Sequence, residues 1–400
     1  MKIKKEETEF QTIQLYNENA YQVEFQATVL DCIEQKEEYH IILDRTAFFP
    51  EGGGQYGDRG QLNEVEVFDT QIKDGIILHY AKHPIEVGTT VQGVIDWKRR
   101  YSMMQNHSSE HMVSGLIHKK YGYDNVGFHL GEEEMTLDFN GMLTMEQLLL
   151  LEREVNEVIW RNMPVEITFP TKEELETMSY RSKKEIEGSI RIVTIEGIDV
   201  CACCAPHVRR TGEIGCVKII SVQKNKSGVR VTVLAGDRAL SDYEKKHEGM
   251  MQICKLLSIK PEQAFSVIKH LQEEKQRVEY ELLEYKLSTL KQQAEQVIPH
   301  NGILCMETKA LSGKEIREVC NCLMERGTLG IVLNRQEEGQ MEFQYIIGSK
   351  QRDVREIASL LKEKLNGRGG GKPQMIQGTA VGTKEEVLAL ISRIKECWNE

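Results

Sequence analysis

The sequence predicts an α+β protein in four successive parts, and three observations carry that reading. Short β-branched runs broken by turn residues fill residues 1–95. Helix-length apolar periodicity begins beyond Asp96 and is mixed with strands as far as residue 238. Between Ser241 and Pro299 strand propensity almost vanishes, after which α and β patterns alternate to the end.

In residues 1–95 the strand-like runs are Tyr21–Leu30, Tyr39–Leu43, Val65–Phe68 and Gly75–His79, an arrangement that predicts a small β-barrel or curled sheet. Residues 96–238 open with a helix over Arg99–Lys120, ending near Tyr121-Gly122. A second amphipathic helix runs from Met145 to Asn162 and is closed by Pro164. Ile190–Ile195 reads as a strand leading into a cysteine cluster, and Gly215–Val222 pairs with Gly228–Leu234 as a hairpin. Residues 239–298 predict a helical, coiled-coil-like arm. There Ile268, Leu271, Lys275, Val278, Leu282, Tyr285 and Thr289 step by three and four, with Lys275 and Thr289 as weak points of the seam. Packing on the next domain is the other use of such a stripe. Residues 299–400 read as an α/β domain with strands at Gly302–Met306, Leu329–Leu333 and Phe343–Ile347. Its helices are expected at Lys314–Arg326, Val354–Leu365 and Lys384–Trp398.

Composition narrows the class. In 400 residues, 40% are hydrophobic and 28% charged, as in a soluble globular protein. No run approaches the ~18 apolar residues of a spanning helix, and the N-terminus shows no signal-peptide pattern. Ten cysteines are too few for a disulfide scaffold in a chain of this length. The expectation is a cytoplasmic protein with reduced thiols and no membrane partner. A net charge of −11 argues against sequence-blind nucleic-acid binding. The charge is uneven, however: Arg209, Arg210, Lys218, Lys224, Lys226, Arg230 and Arg238 face only Glu213 and Asp237 in the stretch from Val208 to Arg238. That excess suits phosphates, or else a solvated basic hairpin.

The chemistry-bearing residues begin with His107 and His111, which one helical turn places on one face. Cys203 and His207 repeat the spacing downstream. Three imidazoles and one thiolate suit tetrahedral zinc. Glu110, between the histidines, invites a general-base role, although a helix-surface carboxylate is the plainer reading. Cys201 and Cys204 are rivals for metal, but only Cys203 keeps the spacing to His207. Upstream, Gly52-Gly53-Gly54-Gln55 permits backbone approaches that side chains forbid. Near the C-terminus, Gly367-Arg368-Gly369-Gly370-Gly371-Lys372-Pro373 lacks the Ser/Thr that follows the lysine of a P-loop, so ATP hydrolysis is not supported. It reads as a loop of exposed N–H groups in which Arg368 and Lys372 could meet RNA backbone.

The ordered set Thr46-Ala-Phe-Phe-Pro, Gly-Gly-Gly-Gln55, His107-x-x-x-His111 and Cys203-x-x-x-His207 resembles the editing domain of alanyl-tRNA synthetase. It is more closely similar to the free-standing alanyl-tRNA editing proteins of the AlaX family, from about Thr28 to Arg238. Asn366–Gly378 resembles the glycine-rich signature of the DHH-associated domain of the long AlaX forms. The resemblance implies that His107, His111, Cys203 and His207 bind zinc and that Gln55 faces the substrate pocket. It also implies that Thr46 recognises a serine hydroxyl. A strand threonine bonded to backbone is the alternative for Thr46. One departure is plain, since Cys203-Cys204-Ala205-Pro206-His207 replaces the family's usual Cys-Gly-Gly-Thr/Pro-His.

The implied activity is zinc-dependent deacylation, in trans, of tRNA(Ala) mischarged with serine and also with glycine. Gln55, Thr46 and Glu110 are the catalytic candidates, and Arg209, Arg210, Arg368 and Lys372 the tRNA contacts. The arm or the C-terminal domain would mediate a homodimer. The alternative is a zinc-stabilised tRNA-binding module without turnover. Alanine is smaller than serine, so no pocket excludes the correct ester by size. A site built around the hydroxyl can reject an analogue lacking it by roughly 10⁴–10⁵.

Overall fold

The structure, a computed structural model, describes residues 11–182, 190–337 and 340–398, with side chains described through residue 392. The chain is mixed α and β throughout and divides into two compact units, Met1–Leu256 and Leu257–Glu400.

Six strands near the N-terminus hydrogen-bond in a closed ring, in the order Glu24–Gln35, Glu38–Leu43, Ile76–Ala81, Val65–Lys73, Gly60–Leu62, Thr90–Ile95. Alternation sends Phe25, Ala27 and Val29 inward to meet Ile41, Leu43 and Phe48. Two of these strands have no counterpart in the sequence reading. Gly60–Leu62 is too short to show a period. Thr90–Ile95 contains Gly93, which lies opposite Phe25; a Cβ there would sit 2.3 Å from the Phe25 ring. Glycine therefore marks the position where an aromatic side chain crosses the strand.

The barrel hands over to a helix, Trp97–Tyr121. Asp96 caps its start by accepting from the Arg99 amide, and Gly122 ends it in the left-handed region at φ 67°. Its residues from Met103 to Ile117 are all buried. A helix enclosed on every side needs no apolar stripe and can carry polar groups inside. Around it stand the helix Met145–Trp160, a four-stranded sheet and a three-stranded sheet. The four-stranded sheet runs Val217–Asn225, Gly228–Ala235, Met135–Phe139, Asn125–Leu130. Its first hairpin turns at Lys226, whose φ of 49° fits a tight turn. The three-stranded sheet runs Glu166–Thr168, Ile192–Ile195, Asp199–Ala202.

The stretch expected as one arm is two helices, Asp237–Leu257, which closes the first unit at Leu256, and Ala264–Gln296 in the second. The break follows from Ser258 at φ 54° and from Pro261. Leu290 and Ala294 pack the end of the second helix on the helix Gly313–Arg326. Ile268, Leu271, Val278 and Leu282 are each 45–51% exposed.

The second unit centres on a five-stranded sheet ordered Ile303–Lys309, Leu329–Arg335, Glu342–Gly348, Met375–Val381, Arg368–Lys372. Only the first pair is parallel, joined by the helix Gly313–Arg326 with a Ser312/Glu315 capping box. The glycine run is corrected here. Arg368–Lys372 is an edge strand paired with Met375–Val381, not a loop, and its five residues are exposed. Gly369 lies opposite Gly378, and a Cβ on either would come within 2.2 Å of a backbone carbonyl of the paired strand, Gln377 O and Arg368 O, with the Tyr345 hydroxyl at 2.9 and 2.7 Å behind them. The ladder consumes N–H groups that a loop would have left open, while Arg368 and Lys372 remain at the edge.

Candidate metal centre

The enclosed helix supplies His107 and His111, and the irregular loop after Asp199–Ala202 supplies Cys203 and His207. One ligating atom from each lies within 4.8 Å of the other three. Cys203 Sγ is 3.5 Å from His107 Nε2 and 3.4 Å from His207 Nε2. A tetrahedral ion with metal–nitrogen and metal–sulfur lengths of about 2.1 and 2.3 Å separates its ligand atoms by roughly 3.5 Å. The four side chains therefore fit a metal on geometry alone.

The outer nitrogens of the three rings are also held. His107 Nδ1 faces Gln55 Oε1 at 2.9 Å, His111 Nδ1 faces Asp199 Oδ2 at 3.0 Å, and His207 Nδ1 faces Ser108 Oγ at 3.0 Å. Orienting partners on the far nitrogen hold each ring with Nε2 turned toward the cluster, the disposition that metal-binding imidazoles require. Asp199 is itself clamped by Arg181, with Nε at 2.7 Å and Nη2 at 2.8 Å.

Electrostatics favour a ligating thiolate. Burial raises the Cys203 thiol, yet the charges of His107 and His207 and hydrogen bonds from His107 and His111 hold it well below the ordinary value. Burial opposes charge on His111, but Asp199 and Cys203 push it up to about 10. Burial takes His207 down to about 3. The loop is tied down by Arg191, whose Nη1 donates to Cys203 O and Ala205 O at 2.8 and 2.9 Å. Cys201 lies buried in a second group that shares His111 and includes Asp199, and burial raises its thiol. Cys204 is exposed and sits against the glycine turn.

That turn brings Gln55 to the cluster. Gly53 and Gly54 hold φ of 59° and 84°, and a Cβ on Gly54 would lie 2.6 Å from the Phe128 ring. Phe128 in turn packs on His107 at 4.8 Å between ring centroids. Gln55 is fully buried, and its Nε2 has no hydrogen-bond partner among the described residues.

The other anticipated residues are placed less directly. Glu110 is fully buried rather than on a solvated face. Its Oε1 accepts from Ser114 Oγ and Asn125 Nδ2, both at 2.7 Å, and Oε2 lies 3.8 Å from His111 Nε2. Thr46 is buried in the barrel unit, where Oγ1 lies 2.8 Å from His79 Nε2 and accepts from the Phe48 amide at 3.1 Å. His79 Nδ1 faces the Ile41 carbonyl at 3.0 Å, and a carbonyl only accepts. The proton thus sits on Nδ1, and Thr46 donates to Nε2; burial takes His79 down to about 4. Arg209 stacks on Tyr21 at 4.2 Å, and Arg210 donates to Asn162 O. Arg368 and Lys372 lie in the other unit.

Sequence reasoning missed Ser108, His79, Arg181, Arg191 and Asp199. Asp199 had a faint signal: on a strand it shares a face with Cys201, so an acidic residue stands where alternation expects an apolar one.

Comparison with known proteins places this geometry in context. Residues 2–99 match the family described as tRNA synthetases class II (A), and residues 190–231 match the threonyl and alanyl tRNA synthetase second additional domain. Alanyl-tRNA editing protein AlaX-L of Pyrococcus horikoshii is 28% identical, covering 94% of this chain and 96% of its own. Alanyl-tRNA editing protein Aarsd1 of Mus musculus is 26% identical over 94% of this chain and 97% of its own. An alanine–tRNA ligase of Ignicoccus hospitalis is 30% identical over 96% of this chain but only 43% of its own length. Over nearly its whole length, the chain resembles the alanyl-tRNA editing proteins of the AlaX kind.

Proposed function

We propose that the protein is an aminoacyl-tRNA deacylase that clears tRNA(Ala) mischarged with serine, and also with glycine, using a zinc-bearing site. The observation that carries the reading is the convergence of His107, His111, Cys203 and His207 beside a glycine turn whose Gln55 holds His107. It occurs in a chain similar, end to end, to proteins named for alanyl-tRNA editing.

The four side chains would hold zinc, which when bound supplies a fixed positive charge able to orient the aminoacyl group. Around it the chain's own residues position and exclude. Gly53 is exposed on the turn, and a Cβ there would lie 4.0 Å from His107 Cε1 and 3.4 Å from Cys204 Sγ, so the turn is the surface nearest the cluster that a substrate could approach. Thr46, its proton committed to His79, can offer a substrate hydroxyl only a lone pair. Glu110, locked by Ser114 and Asn125, sets a carboxylate beside His111. Arg209, Arg210, Arg368 and Lys372 are the contacts proposed for the tRNA backbone, and the exposed seam of Ala264–Gln296 is the surface proposed for a second copy.

Deacylation of Ser-, Gly- and Ala-tRNA(Ala), measured with metal content on the wild type and Cys203→Ala, tests the reading. Release of serine, sparing of alanine and loss of both metal and turnover in Cys203→Ala are expected. Tight tRNA binding without turnover in the wild type would replace the enzyme with a binding module.

A further inference from the structure

Three guanidinium groups gather beside the glycine turn in the first unit. Arg99, on the first turn of the histidine helix, donates from Nη1 to Gly57 O at 2.6 Å. Arg238 donates from Nη1 to Gly131 O at 2.9 Å and from Nε to Ser102 Oγ at 3.2 Å. These anchors flank the candidate site, since Gln55 bridges to Leu130, the residue before Gly131. Arg59 completes the group: its Nη2 and that of Arg99 lie 2.6 and 3.6 Å from one carboxylate oxygen, Glu132 Oε1. The cluster is short of negative charge. Burial, and then the charge of Arg99, pull Arg238 down to about 10, which still leaves it cationic at neutral pH. Arg99 Nε is buried and meets no acceptor among the described residues. The shared carboxylate of Glu132 is 49% exposed, on the turn between the strands Asn125–Leu130 and Met135–Phe139, and Arg59 is 46% exposed. Their ion pair therefore sits in high dielectric and is readily exchanged.

We propose that Arg59, Arg99 and Arg238 form a phosphate subsite for the tRNA backbone, in which Glu132 holds the place of a phosphodiester. The proposal deepens the proposed function and rests on its tRNA substrate. A guanidinium matches a phosphate with paired N–H donors, and three of them around one anion offer more than a single exposed carboxylate returns. Arg99 and Arg238 are fixed by backbone carbonyls and supply position, while exposed Arg59 is the arm that changes partner. Such a contact sets where the nucleic acid lies without reading its sequence. The competing use of the Arg59–Glu132 pair is structural, pinning the turn to the segment that follows Gln55.

The test is equilibrium binding of tRNA(Ala) by filter retention, across salt from about 50 to 200 mM. It is measured on the full-length wild type, Arg59→Gln, Glu132→Gln and Glu133→Gln, with zinc content and urea midpoint determined for each. Arg59→Gln should weaken binding and reduce the slope of log affinity against log salt by about 1. Glu133→Gln removes the same charge from the same turn without an ion pair to these arginines. Glu132→Gln should bind tRNA about three-fold more tightly than Glu133→Gln, the worth of releasing one exposed pair. A purely structural pair predicts the opposite: Glu132→Gln then frees the turn and weakens binding or leaves it unchanged. Either of those results, an equal gain in Glu133→Gln, or an unaltered salt slope in Arg59→Gln overturns the inference. A wild type that deacylates no ester instead defeats the functional reading beneath it, and the binding responses are then judged on their own.

Discussion

Asp58 and Arg100 make the most demanding buried pair in the first unit, and breaking it tests how the site is held. Arg100 is 0% exposed and Asp58 2%. The guanidinium donates from Nε to both carboxylate oxygens, at 3.0 and 2.8 Å, and from Nη2 to Asp58 Oδ2. Its remaining donors reach Ala47 O at 2.6 Å and Ala20 O at 3.0 Å, while Asp58 also accepts from the Phe49 amide at 2.6 Å. Asp58→Ala leaves a buried cation without its counter-ion, which costs about 3–5 kcal/mol. It also orphans the Phe49 amide, a further ~1–3 kcal/mol if nothing relaxes. Because neighbouring losses do not add, about 4 kcal/mol is the expected total, a large share of the ~5–15 kcal/mol that holds a domain. Urea unfolding followed by fluorescence measures it, with Trp97 and Trp160 reporting from the first unit. Asp58→Ala, Arg100→Met and the double variant form a cycle, in which a coupling of at least ~2 kcal/mol is expected. The damage should reach the metal as well, since Asp58 ends the segment that carries Gln55 and Arg100 lies on the histidine helix. A destabilisation below ~1 kcal/mol, or strictly additive single variants, would refute the claim that this pair fastens loop to helix.

Asp199→Asn removes the carboxylate that both orients His111 and binds Arg181, so metal affinity should fall about 10–100-fold by chelator competition; unchanged affinity would count against an orienting role. His79 gives a pH prediction. Its folded pKa of about 4 lies below the unfolded value of 6.5, so falling pH protonates the unfolded chain first and stability present above about 6.5 is lost toward 4. Relative to His79→Gln, wild-type stability from urea midpoints should drop by about 3 kcal/mol across that window, because shared acid effects cancel; parallel pH curves would show that His79 does not stay neutral in the fold.

What the sequence made legible, and what it hid, follows from the range of the physics involved. Helix boundaries were readable where a local device set them: the Asp96 cap and Gly122 fix Trp97–Tyr121 within a few residues of the expected span. The strands of the barrel were visible where alternation ran long enough and lost where Gly93 yields to Phe25 across the ladder, a contact no local window contains. The glycine run at Arg368–Lys372 was misread for a related reason. Consecutive glycines carry a loop's propensity, but the close approach of the two paired backbones at Gly369 and Gly378, with Tyr345 beside them, leaves no room for a Cβ, so strand pairing turns that propensity into an edge strand. At the site, the metal-ligand candidates announced themselves by spacing because each pair lies within five residues on the chain. Their pairings did not: Gln55, legible from its glycine loop, meets His107 across 52 residues, and Asp199 meets His111 across 88. Glu110 shows the same limit from the opposite side. A glutamate on a helix reads as solvated until the surrounding sheets close over it, and only the enclosed helix shows that its carboxylate is anchored by Ser114 and Asn125. Ligand identity is thus a local property of this chain. Ligand orientation belongs to the fold, and that is where variants at Gln55 and Asp199 should act on the site without touching a ligand.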